Sequence, residues 1–153
     1  MKSFAMFGLV AAVMIAGVVA VNAQSAKTEA KLPPRTPSPE GAHTYIISPV
    51  DGETVPSTFK VQFGLSGMGV APAGIQVEGT GHHHLAVDYK DKVNMDLPLP
   101  ASETMRHFGK GQTETVITLP PGEHTLQLIL GDFVHRPHDP PVMSKKITVT
   151  VTK

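Results

Sequence analysis

The chain has 153 residues and no net formal charge: 13 Lys and Arg balance 13 Asp and Glu. That balance makes no electrostatic case for nucleic acid or an anionic membrane surface as partner. Cysteine is absent, which excludes disulfides, thiolate metal sites, iron–sulfur clusters, cysteine nucleophiles and a lipid-attachment cysteine.

Met1 to Ala23 reads as a secretory signal peptide. Lys2 supplies the positive start, Phe4 to Val21 is apolar or small throughout, and Val21-Asn22-Ala23 matches a small-x-small cleavage site. The expected mature chain starts at Gln24 and is periplasmic or secreted, with no stable membrane span after cleavage. The alternative is a retained anchor, since the run is about long enough to cross a bilayer. Residues 24–42 carry Pro33, Pro34, Pro37 and Pro39 among polar residues, with Leu32 as the one large apolar side chain. Such a segment buries nothing and is expected to be an extended or disordered linker.

Residues 43–153 read as short strands separated by turn signals. His43 to Ser48 is the first strand, and Pro49-Val50-Asp51-Gly52 turns it. From Thr58 to Leu65, Phe59, Val61, Phe63 and Leu65 alternate with polar or small residues. Gly64 to Gly81, with six glycines and Pro72, reads as a long loop. A strand follows from His82 to about Asp88. Val93 to Phe108 is hard to assign, because Pro98 and Pro100 oppose both a central strand and a helix interior. Further strands are expected over Thr113 to Leu119, Glu123 to Leu130 and Met143 to Val151, with a Pro- and His-rich loop from Asp132 to Val142. With no amphipathic helix and with Val, Ile and Leu as the main core formers, the expected fold is all-β. It is an immunoglobulin-like antiparallel β-sandwich of about seven strands, each sheet having one buried and one wet face. A small barrel is the alternative.

The stretch Gly81-His82-His83-His84-Leu85-Ala86-Val87-Asp88 carries the chemistry. At period two, His83, Leu85 and Val87 share one face and His82 and His84 the other. Leu85 and Val87 belong to the core, so His82 and His84 lie together opposite it, and two imidazoles at i and i+2 can share a metal ion. His107, His124, His135 and His138, at strand starts or in loops, are the candidates to complete the site. A shared ion requires ring nitrogens within about 4 Å of one another. Imidazole donors suit copper or zinc. The competing readings are a polar strand end with solvated histidines, a rim role for His124, exposed loop positions for His135 and His138, and packing for His83. His43 is expected in solvent. Met68, Met95, Met105 and Met143 raise a Cu(I) alternative, although methionine also fills core gaps. Gly109-Lys110-Gly111-Gln112-Thr113 lacks the spacing of a phosphate loop, and no Gly-x-Ser-x-Gly elbow exists. The site therefore reads as a binding centre rather than a catalytic one. A non-catalytic interaction module, monomeric and binding an envelope protein or cell-wall polymer, is the second reading.

Several separated blocks resemble domain-of-unknown-function family 4399. They are Ser48-Pro49-x-Asp51-Gly52, Phe63-Gly64-Leu65-x-Gly67-Met68-Gly69-Val70-Ala71-Pro72-Ala73-Gly74, Gly81-His82-His83-His84-Leu85, His107 to Glu114, Pro121-Gly122-x-His124-Thr125-Leu126-Gln127-Leu128, and Gly131-Asp132-x-x-His135-x-Pro137-His138. The resemblance implies an exported bacterial sandwich domain and brings no established activity. More loosely, Gly81 to His84 is similar to the Gly-x-His-x-His strand of copper/zinc superoxide dismutases. That similarity concerns geometry and implies no dismutase activity.

Overall fold

Apolar residues at every second position build the central strands: Phe59, Val61 and Phe63 in one sheet, and Leu85 with Val87 and Leu126 with Leu128 in the other. The computed structural model describes residues 34–153; the expected signal peptide and residues 24–33 lie outside them. The strands are β1 (His43–Ser48), β2 (Thr54–Val55), β3 (Thr58–Ser66), β4 (Gly69–Val70), β5 (Thr80–Val87), β6 (Met105–His107), β7 (Glu114–Thr118), β8 (Gly122–Gly131) and β9 (Ile147–Val151). Three of them, β2, β4 and β6, are too short for a periodic signal. Two sit in the expected glycine loop and the unreadable proline segment.

One sheet has the order β1-β3-β7 and the other β2-β9-β8-β5-β4, with β6 also pairing β5. Because β8 takes one edge of β5, β4 and β6 share the other. Without the short strands the sheets are β1-β3-β7 and β9-β8-β5, which corresponds to A-B-E and G-F-C, the immunoglobulin-like pairing with strand D left out. The core lies between them. Phe59, Val61 and Phe63 of β3 and Ile117 of β7 pack against Leu85 and Val87 of β5, Leu126 and Leu128 of β8, and Val149 and Val151 of β9. Register fixes these faces: His83 pairs Leu130, Leu85 pairs Leu128, and Val87 pairs Leu126.

The expectation of one wet face per sheet fails at β5, where every residue from Gly81 to Val87 is buried. The chain after β5 and the chain after β8 fold back over its outer face. They seal a second apolar cluster of Ala86, Leu99, Met105 and Ile129, flanked by Tyr89, Val93 and Met143. His82 and His84 are on the face opposite Leu85, but that face is dry.

A second difference concerns the linker. Residues 34–39 are extended, as their prolines require, yet they are tied to the chain after β8. Ser38 N–H donates to Asp139 O at 3.0 Å, and Asp139 N–H donates to Thr36 O at 2.9 Å. Arg35 Nε donates to Pro137 O at 3.1 Å, and Ser38 Oγ donates to Pro140 O at 2.8 Å. Composition foretold no buried apolar side chain here, and none is needed, because backbone groups make the attachment.

Candidate metal centre

His82 and His84, one pleat apart on β5, bring their ring centroids to 4.8 Å. Strand β6 pairs antiparallel with β5 so that His107 stands opposite His84. Directly paired residues project from the same face, and the His107 ring lies 5.1 Å from both the His84 and His82 rings. The fourth ring comes from beyond the end of β8. His135 places Nδ1 3.1 Å from Nε2 of His82, and its ring centroid lies 4.8 Å from that of His107. Each of the four residues offers one nitrogen, and these nitrogens all lie within 4.8 Å of one another. The group can hold a metal ion. A tetrahedral site with bonds of about 2.0–2.1 Å needs nitrogen separations of about 3.3 Å. The His82–His135 pair is already near that value; the 4.8 Å bound on the whole set exceeds the expected 4 Å, so a bound ion would have to draw the rings together.

The local backbone explains how the rings meet. His135 has φ of +68°, a left-handed conformation that costs a residue with a Cβ of order 1–3 kcal/mol unless its surroundings hold it. Asp132 supplies the hold. Its Oδ1 accepts from the amides of Val134 at 3.0 Å and Arg136 at 2.9 Å. Its backbone carbonyl accepts from His135 N–H, its N–H donates to Arg136 O, and Leu99 N–H donates to His135 O. Two glycines make room for the rings. A Cβ on Gly131 would stand 2.7 Å from His84 Cε1, and one on Gly109 would collide with the His107 ring.

Burial favours the neutral form of His82 and His84. Loss of water, reinforced by the neighbouring imidazoles of His135 and His107, lowers the pKa of His82 to about 4. Burial, followed by the neighbouring imidazoles of His82, His107 and His135, lowers that of His84 to about 2. His107 is also lowered, by burial and then by His135. Neutral imidazole is the form that binds metal. Both ring nitrogens of His84 and Nδ1 of His82 are buried without a hydrogen-bond partner. Orphaned buried polar atoms of this kind are costly, and a cation is one way to employ such lone pairs.

The remaining candidates are placed elsewhere. His124 sits at the opposite end of β8, with Nδ1 2.7 Å from Asp88 Oδ2 and Nε2 2.8 Å from Pro120 O. Both neighbours are acceptors, and its pKa is raised, foremost by the hydrogen bond to Asp88. His138 is buried beside the cluster without joining it, its ring nitrogens 3.2 Å from Thr80 O and 3.4 Å from Leu130 O. His83 faces the core, with its ring 5.2 Å from that of Phe63. Thr44 Oγ1 lies 3.4 Å from its Nδ1, and burial lowers its pKa to about 4. His43 is exposed. Met105 and Met143 fill the outer apolar cluster. Sequence reasoning set Asp132 and Asp139 near the loop histidines as possible carboxylate donors, but did not foresee the supporting roles of Asp132, Gly131 and Gly109. The visible signal was the run Gly131-Asp132 three residues before His135.

The sequence profile of a family described as a domain of unknown function (DUF4399) matches residues 61–152, a span that contains all four clustered histidines. No curated protein and no solved structure matches the chain.

Proposed function

This chain belongs to the DUF4399 family, whose description carries no activity, and we propose that it is an exported domain that binds one copper or zinc ion through His82, His84, His107 and His135. The convergence of four ring nitrogens within 4.8 Å carries this reading. They come from one strand, its short neighbour and a distant turn, so chance proximity along the chain does not explain them. All-imidazole sets suit Zn²⁺ and Cu²⁺, and Cu²⁺ binds the same donors more tightly. Four protein ligands fill a tetrahedral shell and leave no open position, which favours holding or carrying the ion over catalysis on it. Export rests on Lys2, the apolar run and Val21-Asn22-Ala23; intact mass of the exported protein beginning at Gln24 is the expected observation.

Calorimetric titration of the tag-free chain with Zn²⁺ and with Cu²⁺ tests the site. One saturable equivalent is expected, tighter for Cu²⁺. No saturable binding of either ion would remove the metal reading and leave the interaction module, with an envelope protein or polymer as partner.

A further inference from the structure

We infer that metal occupancy of the four-histidine site and docking of the N-terminal strap, residues 35–39, are coupled through Asp132. The inference deepens the metal-binding reading and rests on it.

Asp132 is 1% exposed and faces two ways. Its Oδ1 organises the turn that presents His135, through the amides of Val134 and Arg136. Its Oδ2 accepts from the hydroxyl of Thr36 in the strap at 2.8 Å. One carboxylate thus bridges the strap and the turn of a site histidine. The rest of the strap grips the same stretch of chain. Arg35 donates to the carbonyls of Pro137 and His138, Asp139 accepts from the amide of Ser38 and donates to the carbonyl of Thr36, and Arg136 reaches back to Pro34 O at 2.9 Å.

The segment from Asp132 to Pro140 is therefore pinned from two sides. The strap holds it at the carbonyls of Pro137, His138 and Asp139. A metal ion on His135 would hold it at the turn. Fixing either side lowers the entropy still to be lost at the other, so each event favours the other. Linkage makes the effect reciprocal: whatever factor the docked strap adds to metal affinity, metal adds to strap docking. Asp132 and Thr36 act as positioning residues and touch no metal.

Hydrogen exchange and metal titration on the full chain test this with Zn²⁺ as the probe. In the wild type, saturating Zn²⁺ should slow exchange of the Ser38 and Asp139 amides by about fivefold or more. Thr36→Val should lower Zn²⁺ affinity by about fivefold or more and reduce that protection. Asp132→Asn should cost about 10–100-fold in affinity. Should Asp132→Asn fail to fold, Thr36→Val, on a partly exposed side chain, still decides. Thr58→Val, which removes a hydroxyl that hydrogen-bonds Thr118 within the other sheet, should leave affinity unchanged. Zn²⁺ binding that leaves both amides and the Thr36→Val affinity at reference values overturns the coupling while the metal site stands. Absence of Zn²⁺ binding in the wild type overturns both.

Discussion

Nε2 of His82 and Nδ1 of His135 approach to 3.1 Å although 53 residues separate them in the chain. One nitrogen must donate and the other accept, because two lone pairs would repel at that distance. The metal-free site is therefore not empty of order: a neutral hydrogen bond occupies the edge that a metal ion would span. Binding exchanges that bond for two coordinate bonds and releases or shifts one proton. The scaffold need not be rebuilt, since β5 and β6 hold the other rings by strand pairing.

Substitutions should separate ligands from neighbours. His82→Ala and His84→Ala are each expected to weaken metal binding by about 100-fold or more, beyond the 10–100-fold typical of groups that only contact ligands. The double variant should lose little further, because the two act as one unit. His83→Ala should leave affinity near that of the wild type and cost about 1–3 kcal/mol of stability, as a packed core side chain does. His124→Gln should leave affinity unchanged. Calorimetry with Zn²⁺ and urea unfolding, read by circular dichroism, give the two quantities. Equal affinity losses in all three members of the triplet would contradict the face assignment.

Acid should destabilise the metal-free domain before ordinary carboxylate titration begins. The pKa values of His82 and His83 are lowered to about 4 and that of His84 to about 2, against about 6.5 in an unfolded chain. Between those values the unfolded state binds more protons, so stability rises with pH there. The contribution is complete above about pH 6.5, falls as pH drops toward 4, and for His84 continues to fall toward 2. The loss over that window is on the order of several kcal/mol, comparable with the whole stability of a small domain. His124 runs the other way. Its raised pKa makes its bond to Asp88 stabilising below about 6.5, and that part is lost as pH rises through its folded value. It offsets a minor share, being one partly exposed pair. Urea midpoints from pH 8 to 4.5 should fall steeply below 6.5. A flat profile would show that the three histidines are not held neutral in the fold.

Period-two reasoning made the faces of β5 and β8 legible, since Leu85, Val87, Leu126 and Leu128 alternate cleanly and leave one outcome for His82 and His84. It was blind to three things. Strand β6 has three residues, and pairing with β5, rather than any pattern of its own, puts His107 in place. The left-handed turn at His135 depends on the carboxylate of Asp132, and a chain of letters does not show which amides a side chain will meet. The dry outer face arises from two long segments folding over β5, so residues with a polar assignment became buried. The strap at 35–39 escaped notice for a related reason: its attachment uses carbonyls and amides, which every residue carries.

The last prediction concerns Gly131, where β8 ends beside His84. A methyl group there would lie 2.7 Å from Cε1 and 3.1 Å from Nδ1 of His84, and 3.4 Å from the carbonyl carbon of His135. The ring must turn or the strand end must shift, and either moves a ligand. Gly131→Ala should cost about 1–3 kcal/mol through overpacking and should also weaken metal binding. Gly52→Ala is the matched comparison. Its φ of +79° makes any Cβ strained, yet nothing lies within 4 Å of that Cβ, and the left-handed conformation alone should cost about 1–2 kcal/mol. Both variants should therefore unfold at lower urea, while only Gly131→Ala loses Zn²⁺ affinity in calorimetric titration. If Gly131→Ala binds Zn²⁺ as tightly as the wild type, His84 is not a ligand in the arrangement described, and the site must be assigned to the other three rings.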